Sequence, residues 1–204
     1  MSGHSLPNHV VIDGFLPEDA AQALLDHALG NEALFAPATV YQTGEHDVMT
    51  DLRQAQLTRN LGEAGPLFTA AVEAHVDHLC KACGIAPFAI SGWELEMVAH
   101  RDGGFFVEHI DTKVAANRQQ AFGDRVLSIV YYLHRQDAAF TGGELVLKPF
   151  LGDGETRHIA PEHNRLVAFS SIARHQVETI RVPGDRWEDA RFSINCWLLR
   201  ASQD

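Results

Sequence analysis

Hydrophobic spacing changes period along the chain. Val10-Val11-Ile12 is a short apolar run closed by Asp13-Gly14, the pattern of a strand and a turn. Pro17 at a first helical position, Glu18 and Asp19 in the first turn, and Ala20, Leu24, Leu25 and Ala28 on one face then predict a helix stopping near Gly30. A second helix is predicted from about Pro66 to Cys83, with Val72, Val76, Leu79 and Cys83 at core-facing spacing. Residues 31–64 give mixed signals and support no assignment.

From Trp93 the period becomes two. Trp93, Leu95, Met97 and Ala99 alternate with Glu94, Glu96, Val98 and His100, and Asp102-Gly103-Gly104 turns the chain into Phe105–Ile110. Further strands are expected at Arg125–His134, Glu144–Leu147, Leu166–Phe169, Gln176–Val182 and Arg191–Leu199. Short strands separated by turn residues, with no helices between them, favour an antiparallel jelly roll, a double-stranded β-helix. The expected class is mostly β with N-terminal helices. One domain would span residues 1–204, with a helical front to about residue 88 and a jelly-roll core over about 89–200. The mouth between two facing sheets is a natural small-molecule site.

Composition narrows the function. At 204 residues and 46% hydrophobic, the chain can bury a core without disulfide staples. Sixteen basic residues against 27 acidic ones, a net charge of −11, leave no footprint for a phosphate backbone, so nucleic acid is not an expected partner. No apolar run reaches the roughly 18 residues of a membrane span, and Met1-Ser2-Gly3-His4 lacks the order of a secretion signal. A cytoplasmic location is expected, and three cysteines agree with a reducing compartment. Twelve histidines are an excess of the commonest metal ligand.

His109 and Asp111 lie two apart on a predicted strand, so both can reach one ion. Alone such a pair is commonplace. His175, opening a later strand, adds a second imidazole. Two histidines and a carboxylate on one face of a metal suit non-haem Fe(II) and its oxygen chemistry, though a zinc hydrolase uses the same ligand types. On the last strand Phe192, Ile194, Cys196 and Leu198 form one face and Arg191, Ser193, Asn195 and Trp197 the other. An inward Arg191 would call for an anion, and a hydroxyl two residues on could help hold a carboxylate. A salt bridge on an outer face would explain that arginine equally well.

These residues resemble the Fe(II)- and 2-oxoglutarate-dependent dioxygenases, in their prolyl 4-hydroxylase-like branch. The resemblance covers nearly the whole chain. It rests on Gly103-Gly104-Phe105-Phe106-x-x-His109-x-Asp111, Arg125-x-Leu-Ser-x-Val-Tyr131-Tyr132-Leu133, Phe140-x-Gly142-Gly143-Glu144-Leu145, Arg174-His175-x-Val and Trp187-x-x-x-Arg191-Phe-Ser193-Ile-x-x-Trp197. It implies that His109, Asp111 and His175 bind Fe(II). It further implies that Arg191, sixteen residues after His175, pairs with the distal carboxylate of 2-oxoglutarate, assisted by Ser193 and the Tyr132 hydroxyl. The implied reaction hydroxylates an unactivated C–H bond of a peptidyl residue, free amino acid or other small metabolite, using dioxygen and releasing succinate and CO2, with ascorbate as a stimulant. Gly142-Gly143 matches a family turn and supplies positive φ.

His100 stands where the family usually has a tyrosine, and Cys196 where glycine is common. His100 and Glu96, with Asn195 and Trp197, are candidate pocket residues for substrate or co-substrate. A face carrying His100, Glu96 and Glu94 would favour polar or cationic groups; the same three suit a solvated outer face. The polar segment Thr112–Asp124, with Asn117, Arg118, Gln119 and Gln120, is a candidate lid. Cys80 and Cys83 have zinc-like spacing beside His75 and His78, but the second helix's apolar stripe accounts for them as core. His134, His158 and His163 are expected to be exposed. Two further functions stand beside the dioxygenase: a zinc-type metallo-hydrolase that uses the same ligands and is indifferent to Arg191, and a non-catalytic jelly-roll binding module that binds neither iron nor 2-oxoglutarate. Oligomeric state and substrate identity have no signature in the chain.

Overall fold

The computed structural model describes residues 5–42, 45–47, 49–112, 123–152 and 154–202. The candidate lid therefore lies outside the described residues but for its ends. In chain order the first strands are β1 (His9–Asp13), β2 (Ala36–Pro37), β3 (Val40–Gln42), β4 (Glu45–Asp47), β5 (Arg53–Gln54), β6 (Gln56–Thr58) and β7 (Ile90–His100). There follow β8 (Phe105–His109), β9 (Asp124–Leu133), β10 (Thr141–Gly142), β11 (Leu145–Leu147), β12 (Arg157–Ile159), β13 (Arg165–Ser170), β14 (His175–Val177), β15 (Ile180–Arg181) and β16 (Arg191–Arg200). Helices α1 (Glu18–Gly30) and α2 (Gly65–Ala82) precede β7.

A seven-stranded sheet of order β1-β13-β9-β16-β7-β6-β2 and a five-stranded sheet of order β12-β11-β14-β8-β5 carry the fold. All their pairings are antiparallel. Alternation assigns each side chain of the larger sheet to a face. Phe192, Ile194, Cys196 and Leu198 of β16, with Met97, Ala99, Leu127, Ile129 and Tyr131, join a core with Leu24, Leu25, Phe68, Val72 and Leu79 of the helices. Full burial of Leu24 or Leu79 contributes about 2 kcal/mol each. The opposite face contributes Tyr132, Val167 and Phe169 to a smaller cluster with Leu145, Leu147 and Ile159 of the five-stranded sheet. Because side chains alternate strictly, slipping β16 by one residue would turn Arg191 into the helix-packed core.

Asn164, at φ 57°, joins the front to the sheet: its side chain bonds both Leu16 N–H and Leu16 C=O at 2.9 Å and accepts from the Tyr131 hydroxyl at 2.8 Å. The structure differs from the sequence reading in several places. Pro17 caps α1 from outside and the helix begins at Glu18. The front is not only helical, since β1, β2 and β6 join the larger sheet and β5 the smaller. The expected strand Gln176–Val182 is two short strands, because Ile180 leaves β11 and β14 to pair with Gly142 of β10.

Cys80 and Cys83 are buried while His75 and His78 are exposed, so the cysteines are core. The Cys83 thiol donates to Ala168 C=O at 3.3 Å, and burial pushes its pKa up to about 12. His134 and His163 are not exposed. Their rings meet edge to face at 5.6 Å in the angle where β9 ends and β13 begins, and His163 accepts the His134 N–H at 3.2 Å. His158 is half exposed, and it sits 3.0 Å from Glu144 and 3.7 Å from Glu178, a grouping that strand pairing makes and spacing does not. Among the described residues no helix is long and apolar enough to cross a membrane.

Candidate functional site

Between the two sheets lies a cavity lined by Arg53, His100, Phe106, His109, Asp111, Tyr132, His175, Arg191, Ser193, Asn195 and Trp197 among others. His109 and His175 face each other across the β8–β14 ladder. Asp111 lies two residues beyond the end of β8, its N–H donating to Ser171 C=O at 2.9 Å. The three side chains converge: His109 Nε2 and His175 Nε2 each stand 3.6 Å from an Asp111 oxygen. Their ligand atoms all lie within 4.8 Å of one another.

The surroundings prepare these atoms for a cation. Each imidazole directs Nδ1 at the carbonyl two residues back, Val107 at 2.8 Å and Ala173 at 3.0 Å. Those carbonyls can only accept, so Nδ1 carries the proton and each Nε2 presents a lone pair inward. The Ser128 hydroxyl donates to Asp111 Oδ2 at 2.6 Å and is itself 2.9 Å from Ser171 Oγ. Phe106 stacks on the His109 ring at 3.6 Å between centroids and Phe169 meets His175 edge-on at 4.7 Å, fixing both planes. Burial, then neighbouring His175, hold the His109 pKa far below the ordinary histidine value. Burial alone would raise the Asp111 pKa, but any positive charge on His175 or His109, together with Arg125 and the Ser128 hydrogen bond, favours the carboxylate and keeps it low. A neutral imidazole beside an ionised carboxylate is the protonation state a metal requires.

Arg191 opens β16 at the other end of the cavity, paired across the sheet with His100 of β7. It is 1% exposed and, among the described residues, forms no ion pair with a carboxylate. Its Nη1 donates to Gly143 C=O at 3.0 Å and its Nη2 to His100 Nδ1 at 2.6 Å, while the guanidinium stands 5.2 Å from the Tyr132 ring centre. Gly143 reaches that carbonyl position with φ 72°, so the Gly142-Gly143 turn serves the site as well as the chain reversal. Because His100 Nδ1 accepts, its proton is on Nε2. That atom, Arg191 Nε and the Tyr132 hydroxyl are buried without hydrogen-bond partners among the described residues. A desolvated cation ringed by unsatisfied groups fits an incoming carboxylate, and Ser193, opposite Tyr132 in the ladder, is beside it. The two ends of the cavity thus fit a metal cation and a carboxylate.

Glu96 and Glu94 share the sheet face of Asn195 and Trp197, which they oppose in the ladder, but neither is among the residues that line the cavity. They do not make the pocket cation-seeking. Arg53 and Arg59 stand 3.7 and 3.6 Å from Glu96, and Arg125 bonds Glu94 while lying 3.8 Å over the Trp197 ring. The neutralising arginines were invisible in the alternation of β7 because they come from other segments. Arg53, Ser128 and Ser171 are the site residues that sequence reasoning missed. Ser128 sits in a quoted motif, on the face of Tyr132, and that shared face was the available signal.

The buried histidines carry a stability consequence. Burial, then Arg191 and Arg53, hold His100 neutral well below the ordinary 6.5, and burial lowers His109 and His134 from the same value. Below pH 6.5 the unfolded chain therefore binds protons that the folded chain refuses, so stability is full above that pH and falls as pH drops. His100 and His109 are each expected to cost about 2 kcal/mol between pH 7 and 5, and His134 adds to the loss in the same direction. Urea unfolding of chelator-treated protein at the two pH values measures it; equal midpoints would refute it.

A family model described as the 2OG-Fe(II) oxygenase superfamily matches residues 95–199. An uncharacterized PKHD-type hydroxylase of Synechocystis is 29% identical over 141 residues, 66% of this chain and 45% of that protein. The chain spans about half the length of the curated relatives it matches. Among solved structures, a Pseudomonas putida prolyl-4-hydroxylase superposes with TM-score 0.69 at 23% identity, covering 95% of this chain and 94% of that one. A Trichoplax adhaerens prolyl hydroxylase in complex with a hypoxia inducible factor peptide gives 0.70 at 19% identity, over 95% and 84%.

Proposed function

Since the chain belongs to the 2OG-Fe(II) oxygenase superfamily and is an oxidoreductase of that class, we propose that His109, Asp111 and His175 hold Fe(II) and that Arg191, Ser193 and Tyr132 anchor 2-oxoglutarate. The observation that carries this reading is the pair of complementary deficits in one cavity, three inward metal donors at one end and a buried arginine with no anionic partner among the described residues at the other. Bound iron with 2-oxoglutarate supplies the oxidising chemistry, in which substrate C–H, dioxygen and 2-oxoglutarate become substrate C–OH, succinate and CO2.

The chain's own groups orient and shield. Val107 and Ala173 carbonyls keep the imidazole protons off the metal side, and Ser128 keeps Asp111 turned toward it. Arg191 neutralises the distal carboxylate, held by Gly143 and His100. His100 takes the place of the family tyrosine and offers Nε2–H into the cavity. Replacing it with leucine is expected to raise the KM for 2-oxoglutarate roughly ten- to a hundredfold, the loss of hydrogen bonds to charged groups, with metal content unchanged. Wild-type KM in that variant would remove His100 from the site.

The substrate is a peptidyl residue, a free amino acid or another small metabolite, presented at Asn195 and Trp197; the Trichoplax relative's peptide complex supports the first of these. Ascorbate is expected to sustain turnover by keeping iron reduced. The residues are proposed to act within one domain, in the cytoplasm. Succinate formation on adding Fe(II), ascorbate and 2-oxoglutarate under air tests the reading. No iron-dependent succinate with any substrate mixture would overturn it.

A further inference from the structure

Arg53 is a second buried guanidinium in the cavity, and the iron and 2-oxoglutarate assignment leaves it without a task. It is 8% exposed and lies 5.0 Å over Phe106, the ring that stacks on His109. It comes from β5, whose partner β8 carries His109, so it stands on the iron side of the cavity, across the site from Arg191. Its Nη2 is 3.7 Å from Glu96, too long for a hydrogen bond, and its Nε has no partner among the described residues. A buried N–H left unmade costs free energy, and a cation beside the reacting centre that lines the cavity satisfies it best with an oxygen acceptor brought by a ligand. The distal carboxylate of 2-oxoglutarate already has Arg191 at the far end.

We propose that Arg53 is a specificity-determining residue, donating to a carbonyl oxygen of the primary substrate, from an amide or a carboxylate, and so setting the target carbon beside the iron. Glu96, 13% exposed and between Arg53 and Arg59, is the positioning residue that holds the guanidinium against Phe106. The inference rests on the oxygenase reading above. It differs from the expectation that the acidic face selects a cation: Glu96 is occupied by arginines, and the donor left over is Arg53.

The test uses the Fe(II)-loaded 204-residue chain and two probe panels, capped tripeptides carrying only amide carbonyls and free amino acids carrying a carboxylate. Stimulated succinate formation above the uncoupled rate gives KM for the active panel. In Arg53→Met that KM is expected to rise at least tenfold, while the KM for 2-oxoglutarate moves less than threefold. Arg53→Lys distinguishes the sources. Retained charge should rescue most of the loss for a carboxylate, but little of it for an amide, which needs the guanidinium's directed N–H. Glu96→Gln should raise the same KM by a smaller factor. Thermal melting reports folding, and should Arg53→Met fail to fold, the lysine variant carries the test. An unchanged substrate KM, an equal shift in both KM values, or no stimulation by either panel would overturn the proposal. Loss of even uncoupled, iron-dependent succinate in the wild type is a different failure, of the oxygenase reading itself, and the proposal would fall with it.

Discussion

His109→Ala or Asp111→Ala is expected to lower iron-dependent succinate formation by at least about a thousandfold, with the fold retained. Each of these proposed ligands stands at the end of a short chain of fixed contacts. His109 is held by Val107 C=O and Phe106, and Asp111 by Ser128 and the Ser171 carbonyl. Removing either leaves two donors, too few to hold iron against water. The supporting contacts predict a graded series, since losing a group that orients a ligand typically costs about 10- to 100-fold in metal affinity. Ser128→Ala should fall in that range. Metal titration followed by spectroscopy and a succinate assay read both effects. Alanine variants that keep wild-type iron affinity would move the metal elsewhere.

Arg191→Met should separate function from stability in opposite directions. Methionine fills similar volume, so it removes the charge with little change in packing. The KM for 2-oxoglutarate is expected to rise roughly a hundredfold or more, the usual consequence of truncating one partner of a buried charge pair. Unfolding of the ligand-free variant is expected at the same or higher temperature, because the ligand-free protein keeps a desolvated guanidinium with no counter-charge among the described residues. In the wild type 2-oxoglutarate should raise the melting temperature, and in the variant it should not. A zinc-type hydrolase would keep its activity through this substitution, and a binding module would show neither iron nor 2-oxoglutarate dependence.

Much of the site was legible because a strand writes its faces into the sequence. Arg191, Ser193, Asn195 and Trp197 alternate with Phe192, Ile194, Cys196 and Leu198, and two rigid consequences follow: one set packs on helices and the other lines the cavity. Tyr131 and Tyr132 divide in the same way. His100, Glu96 and Glu94 fell correctly on one face, but the sign of the field there did not follow. It depends on Arg53 and Arg125, which arrive from β5 and β9.

Residues 49–64 show why some signals fail. Arg53 pairs into the smaller sheet and Gln56, three residues on, into the larger, so neither run is long enough to establish a period. His134 and His163 were misjudged for a related reason. Each sits at the end of a strand, where alternation no longer applies and burial depends on what packs over the turn. The sequence by itself determined which residues share a face, and with them the order His109, Asp111, His175, Arg191, because alternation is local and has a period of two. Tertiary structure alone decided what those faces meet: the convergence of donors from two strands, the neutralisation of Glu96 and Glu94, and the arrival of Arg53 over Phe106, beside His109. These depend on strand pairing between segments far apart in the chain, for which local spacing carries no signal.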